Sequence, residues 1–207
     1  MGILSAIFIL TATAYADTDF NKACTEIVSC AEHVAGLLGH HYLMDNDVKG
    51  SAKSVGNLEI SKDNAELLFS KMLYLNGFTR VPLGPKDTYE IRRIRDAKDS
   101  ALPRYTADVR NAPALPRTWD LVSLVYKASH PEALSLIRKL LLNSTSPTVR
   151  MVASPLAGSM SVVAPAAELV GIYETIRDND VKPNALALRE EERQEERSRA
   201  HEGAKKQ

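Results

Sequence analysis

The chain of 207 residues has two cysteines, one tryptophan and no surplus of charge, with 26 basic residues against 26 acidic ones. That balance excludes a global field drawing the chain onto nucleic acid or an anionic membrane, so recognition must come from local shape. Aromatic residues make up 6% and apolar residues 44%, enough for one or two small cores. A membrane-spanning run is missing as well. The apolar stretch Ile3 to Ala12 falls short of the roughly 20 residues needed to cross about 30 Å of hydrocarbon, and no stop-transfer pattern follows it. With Ala14-Tyr15-Ala16 ahead of Asp17 it reads as a leader cleaved after Ala16. No Lys or Arg precedes it, and no nearby Cys supports a lipid anchor.

Catalytic signatures are absent too. There is no Gly-x-Ser-x-Gly elbow, no phosphate-binding glycine loop and no isolated carboxylate pair in an apolar frame. The expectation is therefore no enzyme, no cofactor and no small-molecule substrate. His33, His40 and His41 invite a metal reading, but adjacent His40 and His41 point to opposite sides of an extended segment, and no His-Glu-x-x-His or Cys-His spacing accompanies them. They read as surface histidines around a helix cap. Cys24 and Cys30 could be a redox or intermolecular pair, or two small apolar core residues. On a helix starting near Thr25, six residues would put their Cα atoms roughly 9 Å apart, beyond the ~7 Å limit for a disulfide, so two free thiols are expected.

What is present is an alternation of short strands and amphipathic helices. Thr18 to Ala23 reads as extended. Thr25 to Leu38 reads as a helix with Ile27, Ala31, Val34 and Leu38 on one face, ended by Gly39. Tyr42 to Met44 is a brief strand, and Ser51 to Leu58 a weaker one. Ser61 caps a helix with Leu67, Leu68, Met72 and Leu75 as its apolar face, closed by Asn76-Gly77. Phe78 to Leu83 and Tyr89 to Arg95 make a hairpin around Gly84-Pro85-Lys86-Asp87. From Ala97 to Arg117, Pro103, Pro113 and Pro116 mark a semi-extended linker. Beyond it come a strand from Leu121 to Tyr126 and a helix opened by Pro131-Glu132, with Ala133, Leu134, Ile137, Leu140 and Leu141 facing inward. A hairpin (Val149 to Ala153, Ser159 to Ala164) follows, then a helix from Pro165 carrying Leu169, Ile172, Tyr173 and Ile176. The tail from Leu186 interleaves Glu and Arg with no apolar stripe and reads as a solvated helix or a disordered end.

Phe20-Asn21, Glu26-Ile27, Leu38-Gly39, Asp45, Val48-Lys49-Gly50, Ile60-Ser61 and Asn76-Gly77-Phe78 recur in an order that resembles the first periplasmic domain of bacterial secretins, whose fold is shared with the signalling domain of TonB-dependent receptors. Asn46 stands where that family often has Pro. The second stretch resembles the KH-like second periplasmic domain of secretins, with Ser154 and Gly158 where Asp and Asn are usual. A Gly-x-x-Gly loop with basic flanks is missing, which argues against RNA.

The resemblance implies an α+β chain of two small domains. The first (17–96) would place two helices between a two-stranded and a three-stranded sheet, and the second, KH-like and βαββα, would span 118–180. They would lie between a signal peptide (1–16), a linker (97–117) and a charged tail (181–207). It further implies a periplasmic docking or assembly module of a type II secretion or pilus machine, partnered by an inner-membrane component and by secretin channel subunits or copies of itself in a ring. The partner face would be the small sheet, Thr18, Asp19, Phe20, Asn21 and Lys22 beside Ala52, Lys53, Ser54 and Val55, open to strand addition. Secretins continue into a long amphipathic β-barrel region, and these 207 residues hold none, so a stand-alone module is expected. The alternative is a periplasmic signalling adaptor with a receptor-type domain, acting without a secretin.

Overall fold

Glu26 and Ser29 form a reciprocal capping box, Ser29 Oγ accepting from the Glu26 amide at 3.1 Å, and so the first long helix starts at Ile27. The computed structural model describes residues 18–84, 86–97 and 101–184 together with Arg193. The expected leader, and all of the charged run from Leu186 except Arg193, lie outside them. The N-terminal half runs β1 (Thr18–Asp19), a single turn α1 (Phe20–Ala23), α2 (Ile27–Leu38), β2 (His41–Met44), β3 (Glu59–Ile60), α3 (Ala65–Leu75), β4 (Phe78–Pro82) and β5 (Thr88–Arg93). β1 and β3 pair antiparallel. A second sheet has the order β2-β5-β4, with β2 parallel and β4 antiparallel to β5.

The apolar spacing of α2 does what its sequence requires: Ile27, Cys30, Ala31 and Val34 are buried, and Gly39 at φ 72° ends the helix. On α3 the buried residues are Ala65, Phe69, Ser70, Met72 and Leu73, while Leu67 and Leu75 are exposed. The expected face was rotated, because α3 carries two overlapping apolar stripes and Phe69, stacked edge-on with Tyr42 at 5.2 Å, fixes which one turns inward. Ser61 serves the start of α3 through its carbonyl, which accepts from the Ala65 amide.

The Val-Lys-Gly element also has a physical reason. Val48 is buried in the core, and the Gly50 carbonyl accepts from the Ile27 amide at 3.0 Å. A Cβ on Gly50 would overlap the Asn76 side chain, which bridges the end of α3 to the Ser51 carbonyl at 3.2 Å. Ser51 to Leu58, expected as a strand, has no strand geometry; pairing with β1 falls to Glu59–Ile60 instead.

The C-terminal half contains β6 (Arg104–Asp108), β7 (Leu121–Lys127), α4 (Leu134–Leu142), β8 (Arg150–Ser154), β9 (Ser159–Pro165) and α5 (Ala166–Asn179), with sheet order β6-β7-β9-β8. β6 corrects the linker expectation. Prolines 103, 113 and 116 flank the strand without interrupting it, and its parallel pairing with β7 comes from residues distant in sequence. α4 and α5 bury Leu134, Ile137, Leu141, Leu169, Ile172 and Ile176 as expected; Leu140, expected inside, is 48% exposed.

The two halves meet over polar and apolar contacts. Arg80 of β4 donates from Nε to both oxygens of Asp120 at 3.1 Å and from Nη2 at 2.6 Å, and its own amide reaches Asp120 Oδ1 at 3.2 Å. The Trp119 amide donates to Ser70 Oγ and the Leu121 amide to Thr79 Oγ1, both at 2.9 Å. Lys71 lies 3.1 Å from the Trp119 ring centroid. A small cluster of Val81, Ala97, Leu102, Leu121 and Val163 fills the apolar part of the seam.

Candidate docking surface

The residues expected to meet a partner are partly brought together, by a different device from the one expected. Only Thr18 and Asp19 are strand; Asp19 then caps α1 by accepting the Lys22 amide at 3.2 Å. Phe20 is buried in the core and unavailable to a partner. Asn21 joins the two segments: its Nδ2 donates to the Ser54 carbonyl at 3.1 Å and its Oδ1 accepts the Ser54 amide at 2.8 Å. The side-chain amide thus occupies both main-chain groups that strand addition at Ser54 would need. Asn64 does the same for β3, donating to the Glu59 carbonyl at 2.9 Å and accepting the Ser61 amide at 2.8 Å. Edges blocked in this way resist pairing with other chains. What the segment presents instead is side chains: Lys22 and Lys53 are exposed and Val55 is fully so at 103%, while Ala52 packs against the core.

Beneath this face Cys24 and Cys30 form a disulfide with Cα atoms 4.1 Å apart, both fully buried. The expectation of two thiols fails because Cys24 ends α1, before α2 begins at Ile27. The chain turns between the two cysteines rather than rising helically.

A cluster of electrostatically perturbed groups lies at the seam. Burial opposes the Arg80 charge, but Asp120, with Glu66 behind it, more than offsets this and holds the guanidinium protonated well above its ordinary value. Burial pushes the Tyr42 phenol up to about 12, against the pull of Arg80. His40, expected at the surface, is largely enclosed, with Nδ1 3.2 Å from the Tyr42 hydroxyl and 3.4 Å from Glu66. A cluster of perturbed groups can mark an active site, but here each charge has a partner: Arg80 binds Asp120 at 2.6 Å and Glu66 at 3.4 Å across the seam. Sequence reasoning missed this network. Its only signal was a charge set in each of the apolar runs Phe-Thr-Arg-Val and Trp-Asp-Leu-Val, forty residues apart. Among the described residues no cluster of three or more His, Cys, Asp or Glu could hold a metal ion, and no helix is long and apolar enough to cross a membrane.

Neither a protein-family model nor a curated protein sequence matches the chain. Solved structures do. A chain of the Klebsiella pneumoniae type II secretion system outer membrane complex, comprising PulD, PulS and the PulC HR domain, matches 76% of this chain at 20% identity and a TM-score of 0.55. The chain resembles the N-terminal domains of type II secretins. A structure of the N-terminal domain of the secretin XcpQ from Pseudomonas aeruginosa also matches, over 82% of this chain at 22% identity and a TM-score of 0.33. The enterotoxigenic Escherichia coli GspC-GspD complex matches over 80% at 14% identity and a TM-score of 0.28. The chain spans 68% of the XcpQ structure and 26% of the Klebsiella chain. At these identities the likeness is one of fold, and the Klebsiella comparison carries it.

Proposed function

We propose that this chain is a non-enzymatic docking and assembly module of a secretin-type secretion machine, acting in the periplasm after export by its leader. The observation that supports this most is the shared fold, over three quarters of the chain, with a chain of the Klebsiella complex, an assembly that holds a secretin together with the HR domain of a second component. The proposal includes two modules, the first at 17–96 and a KH-like second at 118–180 to which β6 adds a strand. The first meets an HR-type domain of an inner-membrane component, and the second meets secretin channel subunits or neighbouring copies.

The docking face comprises Thr18, Asp19, Asn21, Lys22, Lys53, Ser54 and Val55. Its chemistry is that of a loop presenting an exposed valine and two exposed lysines, Lys22 and Lys53, held by the Asn21 clamp and backed by the disulfide. Side-chain complementarity replaces strand addition as its mode of contact. The test is calorimetric titration of the purified chain with the HR domain of the inner-membrane secretion component of the same organism. Binding is expected, and Val55→Asp should weaken it at least tenfold by putting a charge in an apolar contact. Absence of binding at about 100 μM, far weaker than a specific interface provides, would overturn the proposal.

A further inference from the structure

In the N-terminal half the sheet edges are mostly occupied. Asn64 covers the outer side of β3, the Asn21 clamp holds the neighbouring Ser54 segment, and the Arg80 amide on the outer side of β4 goes to Asp120. β2 differs. Its His41 amide donates to the Asp87 carbonyl at 2.8 Å, so in the parallel ladder the peptide groups of His41 and Leu43 turn toward β5 and those of Tyr42 and Met44 turn outward. Among the described residues no hydrogen bond beyond the ladder takes these outward groups. Leu43 is 59% exposed on the same strand.

Two open cavities, of 510 and 700 Å³, meet at the end of β2 and share Met44, Asp45 and Val48 in their walls. Their arginines are already engaged: Arg92 pairs with Glu90 at 2.6 Å and Arg93 with Asp47 at 2.7 Å. Asp45, at the mouth of both, has no cationic partner among the described residues. Lys49 stands in the wall of the larger cavity together with Glu26, which like Asp45 has no cationic partner among the described residues. The cavities therefore offer apolar walls beside the free main-chain groups of β2 and a lining whose carboxylates outnumber its cations.

We propose that the β2 edge is a second docking site, taking an extended segment of a partner protein that carries a lysine or arginine; the segment adds as a strand along Tyr42 to Met44, and its cation meets Asp45. Strand addition supplies affinity through the main chain, and the cavities on either side of Asp45 select the side chains. The inference rests on the docking reading above but concerns a different surface, so its failure leaves binding through Val55 untouched.

The experiment titrates the full isotope-labelled chain, by amide NMR, with a blocked seven-residue peptide of alternating valine and threonine with a central lysine, and with the same peptide carrying glutamate. Shifts centred on Tyr42 to Val48 are expected, with slowed exchange of the Tyr42 and Met44 amides. Asp45→Asn should weaken the lysine peptide about tenfold, as for loss of one charge-assisted hydrogen bond, and leave the weaker glutamate peptide unchanged or improved. Equal binding of the two peptides, shifts centred on Thr18 to Lys22, or no binding by either would overturn the proposal. Concentration-dependent shifts at Tyr42 to Met44 without peptide would overturn it in favour of a second copy of the chain.

Discussion

Breaking the Arg80–Asp120 pair tests whether the seam is held by a buried charge pair or merely decorated by one. Arg80 and Asp120 side chains are 2% and 13% exposed, whereas the Arg93–Asp47 pair, of nearly the same length at 2.7 Å, is 41% and 53% exposed. Distance being equal, burial should separate their energetics. Asp120→Asn strips Arg80 of its principal counter-charge and leaves Glu66 at 3.4 Å as its remaining ionic partner, and removing one partner of a buried pair costs about 3–5 kcal/mol. Arg80→Met should cost somewhat less, since Asp120 keeps the residue 80 amide as a donor. The double replacement Arg80→Met with Asp120→Leu should recover much of the loss, because an apolar pair of similar volume is often neutral. Asp47→Asn, the exposed control, should cost under about 1 kcal/mol. Urea unfolding of the four variants measures all of this. If Asp120→Asn cost no more than Asp47→Asn, the reasoning that burial makes this pair decisive would be refuted.

The remaining predictions concern the N-terminal half. Protein prepared without reductant should show no free thiol after unfolding, and reduction should lower stability by about 2 kcal/mol, the chain-entropy value for closing a loop of about six residues; two thiols in monomeric protein would contradict the Cys24–Cys30 bond. Gly50→Ala should destabilise by on the order of 2 kcal/mol through collision with Asn76, and Asn76→Ala combined with it should restore part of the loss, both read from urea midpoints. Tyr42 is protonated in the folded state up to about 12 and in the unfolded chain only up to the ordinary value of 10. The folded state thus holds more protons in between, and Tyr42 stability is fully present below pH 10 and lost as pH rises toward 12. Tyr42→Phe should flatten that alkaline loss, and an unchanged alkaline unfolding curve would count against it.

Local periodicity and punctuation were enough to determine α2, α5, the β4–β5 and β8–β9 hairpins and the Gly39 stop, because each depends on residues within a few turns of one another. The Val48-Lys49-Gly50 and Asn76-Gly77 elements were legible as landmarks, though not their reason, which is that Gly50 and Asn76 touch across 26 positions. Tertiary structure alone decided the rest. α3 had two eligible apolar stripes, and Phe69 against Tyr42 selected one. β6 became a strand only because β7 offered it a parallel edge. Cys24 and Cys30 met because the chain turns between α1 and α2, a turn set by where the Glu26–Ser29 box starts the helix. Arg80 found Asp120 forty residues away, and Asn21 closed on Ser54. The cysteines, six residues apart, needed only the right helix start; the other outcomes were settled by contacts between segments well separated in sequence, and no single-segment pattern encodes which distant partner a side chain will reach.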